Sequence, residues 1–152
     1  MISYVNKLGT VSVGNSNPVR IMGILNTSSE SFYKKSISIS KKRIVDSVRR
    51  MEEDGADFVD IGGMSTAPYL STMVSEKTET HRIIKAVKII QQVSNLPISI
   101  DTCRAGVAKK SLEFGVDIIN DVTGLKYDPM MSKIIEKYCP SLVLCAFSKK
   151  FT

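Results

Sequence analysis

Apolar positions along the chain follow two alternating rhythms. Runs rich in β-branched residues recur at "VRIMGIL" (19–25), "DFVDI" (57–61), "PISI" (97–100), "VDIIN" (116–120) and "SLVLCAF" (141–147). Near-continuous apolar runs of this length mark strands buried on both faces. Between them apolar residues return every three or four positions, at Ile44, Val48 and Met51, at Ile83, Val87 and Ile90, at Ala105, Ala108 and Leu112, and at Met130, Ile134 and Tyr138. That is helical spacing. Asp128 and Pro129 stand where the fourth helix needs an N-cap and a first residue. The basic run Lys41, Lys42 and Arg43 is unfavourable at a helix N-terminus, so the first helix is expected to begin earlier.

The order is βαβαβαβαβ, which predicts a parallel sheet covered by helices. Residues 1–18 stand outside this rhythm as an N-terminal extension, and the alternation in "TVSVG" fits a small hairpin strand; residues 19–152 form the main domain. An internal repeat supports the unit count. "DGADFVDIGG" (54–63) and "FGVDIINDVTG" (114–124) share a glycine, an Asp two residues on, two apolar residues and a polar one. Gly55 and Gly115 read as left-handed caps after helices. Such self-similarity favours a βα barrel over a doubly wound sheet. A barrel of this type takes about 250 residues, whereas five strands and four helices fill the 152 residues here. The expected fold is therefore a partial TIM-type (β/α) barrel, with its first and fifth strands as edges and inward side chains such as Ile98 and Ile118 lacking an opposite wall.

With 43% hydrophobic and 24% charged residues the composition is that of an ordinary globular domain. The net charge of +6 is spread over scattered lysines and arginines without interleaved aromatic residues, so no nucleic acid is expected as partner. An anionic small molecule fits the charge better. No apolar run is long enough to span a bilayer and the start lacks a secretory pattern. Three cysteines without a CxxC pair suit a reduced compartment, and the reading is a soluble cytoplasmic protein that meets no membrane. A single histidine makes zinc improbable; His81 reads as a solvated surface residue, and Cys103 as an inert thiol.

Candidate chemistry lies where the strands end. Asn26, Asp60, Asp101 and Asn120 close four successive apolar runs, and in parallel α/β folds these C-terminal strand ends are where ligands bind. Any one of them alone reads as a turn cap. Together they point to a site. Asp101 accepts two parallel N–H bonds and Asn120 both donates and accepts, a pattern that suits a flat heterocycle with an amino-pyrimidinone edge. The loops "NTSSESF" (26–32) and "GGMSTAP" (62–68) offer hydroxyls and backbone donors for a phosphate. Neither is a P-loop or a dinucleotide fingerprint.

"MGILNTSSESFY", "GADFVDIGGMSTAP" and "PISIDTCRAGVAKKSLEFGVDIINDVTG", in that order, resemble the pterin-binding family over about residues 20–146, most of all its dihydropteroate synthases. The resemblance implies a βα-barrel transferase of folate biosynthesis that joins 6-hydroxymethyl-7,8-dihydropterin diphosphate to p-aminobenzoate, with magnesium and loss of diphosphate. It implies that Asn26 ligates the metal, that Thr66 contacts the diphosphate-bearing pterin, that Asp101 and Asn120 hold the pterin ring, and that Asp60 supports the site. Asp101 would also stabilise the pterin cation left when diphosphate departs, which makes it the catalytic candidate.

The chain departs from the family at Ser28, Ser29 and Glu30, where a Thr-Pro-Asp run is usual. Met64, Ala67 and Tyr69 replace a Glu, an Arg and a Gly, and Cys145, Ala146 and Phe147 stand where a histidine is common. The resemblance also implies that the later strands carry a further pterin acid, a lysine and an arginine-histidine motif. Self-association or a complementary chain is therefore expected. Two alternatives stand beside the synthase: a non-catalytic pterin-binding or partner-dependent half-barrel protein, and a methyltetrahydropterin methyltransferase.

Overall fold

A computed structural model describes residues 6–14, 16–28, 40–64 and 74–146. Its first element is an antiparallel hairpin, β1 (Asn6–Leu8) and β2 (Val11–Val13), with Leu8 opposite Val11. Gly9 turns it at φ +57°, in keeping with a two-residue hairpin turn that wants glycine first. Then follow β3 (Met22–Asn26), α1 (Lys41–Glu53), β4 (Phe58–Gly62), α2 (Glu76–Ile90), β5 (Ile98–Asp101), α3 (Ala105–Glu113), β6 (Ile118–Asp121), α4 (Met131–Tyr138) and β7 (Ser141–Leu144).

All five later strands pair in parallel and in chain order, β3-β4-β5-β6-β7. A doubly wound sheet reverses its strand order at a switch point. Here each strand is added beside its predecessor, as around a barrel. The helices pack on one face only. Leu25, Val59, Ile61, Ile98, Ile100 and Ile119 share one core with Ile44, Val48, Ile83, Val87, Ala105, Ala108 and Met131. The architecture is a partial (β/α) barrel of five parallel strands and four helices.

The internal repeat has a structural cause. After α1 the Gly55 N–H bonds to Glu52 O and the Ala56 N–H to Met51 O; after α3 the Gly115 N–H bonds to Leu112 O and the Val116 N–H to Ser111 O. Both are Schellman closures with glycine in the left-handed region, at φ +86° and +79°. The Asp two residues on then clamps the start of a neighbouring strand segment. Asp57 accepts the Ile21 N–H at 2.8 Å and pairs with Arg20 at 3.0 Å, and Asp117 accepts the Ile98 N–H at 3.2 Å.

Three sequence expectations are corrected. Helix α1 does begin at Lys41: Ser40 caps it by accepting the Arg43 N–H. Burial of Ile44 and Val48 outweighs a charge–dipole effect of about 0.3–1 kcal/mol at the surface. Helix α4 begins at Met131, not at Pro129, because the Asp128 side chain is spent on the Met130 and Ala105 N–H groups at 2.9 and 2.8 Å. Its buried stripe is accordingly Met131 with Ile134 and Ile135, while Met130 is exposed.

Ile98, expected to point inward, lies on the helix-facing side with Val59 and Ile100. The parallel register decides this, since Asp60 pairs with Ser99 and Ser99 with Ile118, and alternation turns the flanking residues the other way. Ile118 does point inward yet is fully buried. The hairpin covers it: Gly9 donates its N–H to Ser141 Oγ at 2.8 Å, and a methyl group on Gly9 would lie within 3.7 Å of the Ile118 side chain.

Candidate functional site

Alternation along the strands builds the site. Register sets Asn26 beside Gly62, Gly62 beside Asp101 and Asp101 beside Asn120, so these residues form one row across the inner face at the C-terminal strand ends. Asp60 belongs one layer deeper, beside Ser99. It does not close its strand as the sequence suggested, because β4 runs on through Ile61 to Gly62. A methyl group on Gly62 would come 3.0 Å from Asn26 Oδ1 and 4.0 Å from Asp101 Oδ2. The missing side chain therefore leaves a space that both oxygens border. Asn26 itself is exposed.

The polar groups of this row are unevenly satisfied. Asn120 Nδ2 donates to Asp60 Oδ2 at 3.1 Å, across 60 residues of chain. The amide thus supports Asp60 with one N–H and keeps a second N–H and its oxygen for a ligand. Asp60 Oδ1 and Asp101 Oδ1 are both buried without a hydrogen-bond partner. Burial, with the neighbouring charges of Asp60, Glu79 and Asp121, raises Asp101 to a pKa of about 7. Buried oxygens of this kind cost about 1–3 kcal/mol each when left unpaired, and N–H donors would satisfy them.

Several polar residues near the rim serve the scaffold instead. Thr27, in a loop read for its hydroxyls, spends its Oγ1 and its N–H on Gly62 O, at 2.9 and 2.8 Å. Asp121 accepts the Thr123 N–H and hydroxyl on one oxygen and the Leu125 N–H on the other, which shapes the loop before α4. Cys103 is buried, and burial first of all pushes its thiol up to about 11, in keeping with an inert side chain. His81 is exposed on α2. Thr66, expected at the diphosphate, lies outside the described residues, as do Ser65, Ala67, Tyr69, Ser29, Glu30 and Phe147.

Sequence reading missed a buried group beneath the rim. Glu79, fully buried, accepts Thr102 Oγ1 on Oε1 and Arg104 Nη1 on Oε2, both at 2.7 Å. Burial raises its pKa against the Thr102 hydrogen bond and the Arg104 charge, which lower it. The available signal was a carboxylate on the apolar stripe of a helix, four residues before Ile83 and eight before Val87.

Comparisons with known proteins show the family and the fold. The family model for pterin binding enzymes matches residues 22–152. The chain belongs to the pterin-binding enzymes. A dihydropteroate synthase of Clostridium beijerinckii is 37% identical over 132 residues, covering 87% of this chain and 49% of that protein. One of Bacillus subtilis is 37% identical over 124 residues, covering 82% and 43%. The chain thus spans about half the length of the curated relatives it matches. Among solved structures, the dihydropteroate synthase of Clostridium difficile, determined in the presence of pteroic acid, superposes with a TM-score of 0.75 at 32% identity, covering all of this chain and 54% of that one. The Yersinia pestis dihydropteroate synthase in a sulfonamide drug complex gives 0.78 at 28% identity, covering 95% and 51%.

Proposed function

We propose that this chain is the pterin-binding portion of a dihydropteroate synthase-like transferase of folate biosynthesis, acting in the cytoplasm. The two partnerless oxygens, Asp60 Oδ1 and Asp101 Oδ1, carry the reading. A dihydropterin presents a guanidine-like edge and ring N–H groups, which would satisfy carboxylate acceptors in adjacent layers of the inner face. Asp101 is the catalytic residue and, with Asn120, holds the ring; Asp60 backs Asn120 by accepting its amide N–H. The charge of Asp101 gains value as the ring becomes cationic on loss of diphosphate, so it acts on the transition state more than on the ground state. Thr66 is assigned to the diphosphate-bearing end by its place in the family motif.

Magnesium fits only as an ion carried with the diphosphate. Among the described residues no group of three or more His, Cys, Asp or Glu side chains converges to hold a metal. Asn26 Oδ1, bordering the open space over Gly62, supplies one hard oxygen. Magnesium commonly keeps waters and takes the rest of its shell from phosphates. It would neutralise charge on the leaving diphosphate, while the protein residues bind and orient the ring. p-Aminobenzoate is the proposed acceptor, by likeness to the relatives.

Completion of the site by a second copy or a complementary chain belongs to the same proposal. Ile24, on the inner face of the edge strand β3, is 66% exposed. β7 contributes only Val143 to the rim row.

Titration with 6-hydroxymethyl-7,8-dihydropterin, followed by fluorescence, tests the binding role. Asp101→Asn is expected to abolish most of the affinity, and Asn120→Ala to cost about tenfold, since charge-assisted bonds are roughly twice as strong as neutral ones. Equal small losses in both, or no binding by the unaltered chain, would overturn the assignment.

A further inference from the structure

Glu79 is a fully buried carboxylate that no step of the proposed chemistry uses. Its contacts nevertheless reach the chain that follows Asp101, the entry to α2 and the end of β4. Oε1 takes the hydroxyl of Thr102, the residue after Asp101, at 2.7 Å. Oε2 takes Arg104 Nη1 at 2.7 Å, and the same nitrogen donates to Val74 O at 2.9 Å. The Arg104 N–H in turn donates to Thr102 Oγ1 at 3.2 Å, just where α3 begins. On the other side, a methyl group on Gly63 would stand 2.8 Å from Glu79 Cγ and 3.0 Å from the Ile83 side chain. Only glycine lets α2 come this close to the end of β4. One turn along α2, Arg82 Nη1 donates to Gly63 O at 3.2 Å.

We propose that Glu79 is a positioning residue for the Asp101 end of the polar row: one carboxylate sets where β5 ends, where α3 starts, and how the chain leaves β4 at Gly63 and enters α2 at Val74. Its functional consequence rests on the pterin-binding reading above; the positioning itself does not. A carboxylate is suited to the task because it is an acceptor at both oxygens and draws two donors from different elements into fixed places. The groups that surround Asp101 electrostatically are Asp60 from β4, Glu79 from α2 and Asp121 from β6, with Arg104 at the start of α3 pairing Glu79.

Thr102→Val separates positioning from charge, since it removes the hydroxyl tie to Glu79 and changes no charge. In this variant the backbone amide resonances of Gly63, Val74 and Arg104 are expected to shift. Affinity for 6-hydroxymethyl-7,8-dihydropterin should fall roughly 10- to 100-fold, the scale on which groups that orient a ligand-contacting residue act. Thr102→Ser, which keeps the hydroxyl, is expected to restore both. In Glu79→Gln, which keeps an acceptor for Thr102 but frees the Arg104 charge, the Asp101 carboxyl carbon should titrate below the value of about 7 given by its present surroundings.

Unmoved Gly63 and Val74 amides in Thr102→Val, with affinity unchanged, would overturn the proposal even where the melting temperature drops. Should Glu79→Gln fail to fold, the Thr102 pair decides alone. Should the unaltered chain bind no dihydropterin, the amide shifts still decide the positioning claim, and it is the pterin reading that fails.

Discussion

Asp101 is held in a surrounding that favours its neutral form. Burial and the carboxylates of Asp60, Glu79 and Asp121 raise it from the ordinary range to about 7. An acid whose pKa is higher folded than unfolded makes the folded state less stable as pH rises, because the unfolded chain releases its proton first. The loss should begin near pH 4, grow to about pH 7 and then level off, reaching roughly 4 kcal/mol at about 1.4 kcal/mol per pH unit. Asp101→Asn removes this term, so denaturant midpoints at pH 8 should lie above those of the unaltered chain and converge with them near pH 4. Unchanged midpoints across that range would mean that Asp101 is solvated. A bound ligand with N–H donors should reverse the trend by favouring the carboxylate. Thiol chemistry offers a second check at this scale. Alkylation of the folded chain at pH 8 is expected at the exposed Cys139 and Cys145 and not at the buried Cys103, whose thiol lies near 11; mass spectrometry of the peptides reads the outcome.

Helix ends show how elements are joined. Asp128 uses one carboxylate oxygen on the Met130 N–H and the other on the Ala105 N–H, the first residue of α3. It thereby ties the N-termini of α3 and α4 together. Asp128→Ala should cost about 1–2 kcal/mol, the upper range for loss of a cap, seen as a lower urea midpoint at unchanged slope. At the other end of α4, Cys139 adopts φ +47°, ψ +47° before Pro140. A side chain in the left-handed region costs about 1–2 kcal/mol relative to glycine, and Cys139 returns only a weak sulfur contact to Glu136 O at 3.3 Å. Cys139→Gly is therefore expected to raise the melting temperature, and a fall would show that the sulfur contact matters more than the backbone.

Among the described residues the sheet is an open layer with helices on its outer face. Outward side chains of the sheet meet four helices, and the hairpin covers the lower inner face. β3 and β7 remain edge strands of the sheet, and Ile24 at 66% exposure and Leu144 at 44% lie on them. Unpaired strand edges beside apolar surface attract further strands. Sedimentation at micromolar concentration should show association with itself or recovery of a monodisperse species on adding the complementary half of a relative. A stable monodisperse monomer that forms dihydropteroate at an ordinary enzymatic rate would contradict both this expectation and the dependence of the site on further strands.

The sequence by itself determined the order of elements, the glycine closures after α1 and α3, and the polar rim formed by Asn26, Asp101 and Asn120. These follow from local rules: periodicity, turn geometry and the place of polar residues at strand ends each act within a few positions. Only the tertiary structure decided which carboxylates are satisfied. Asp121 finds its donors within four residues, Asp60 takes an amide from across 60 residues, Glu79 draws on Thr102 and Arg104, and Asp101 keeps a buried oxygen without a partner. The same holds for the inward or outward turn of Ile98 and for the start of α4. Apart from Asp121, each depends on a pairing between segments distant in sequence. A strand pattern does not state its register, and a helix stripe does not state what it will face.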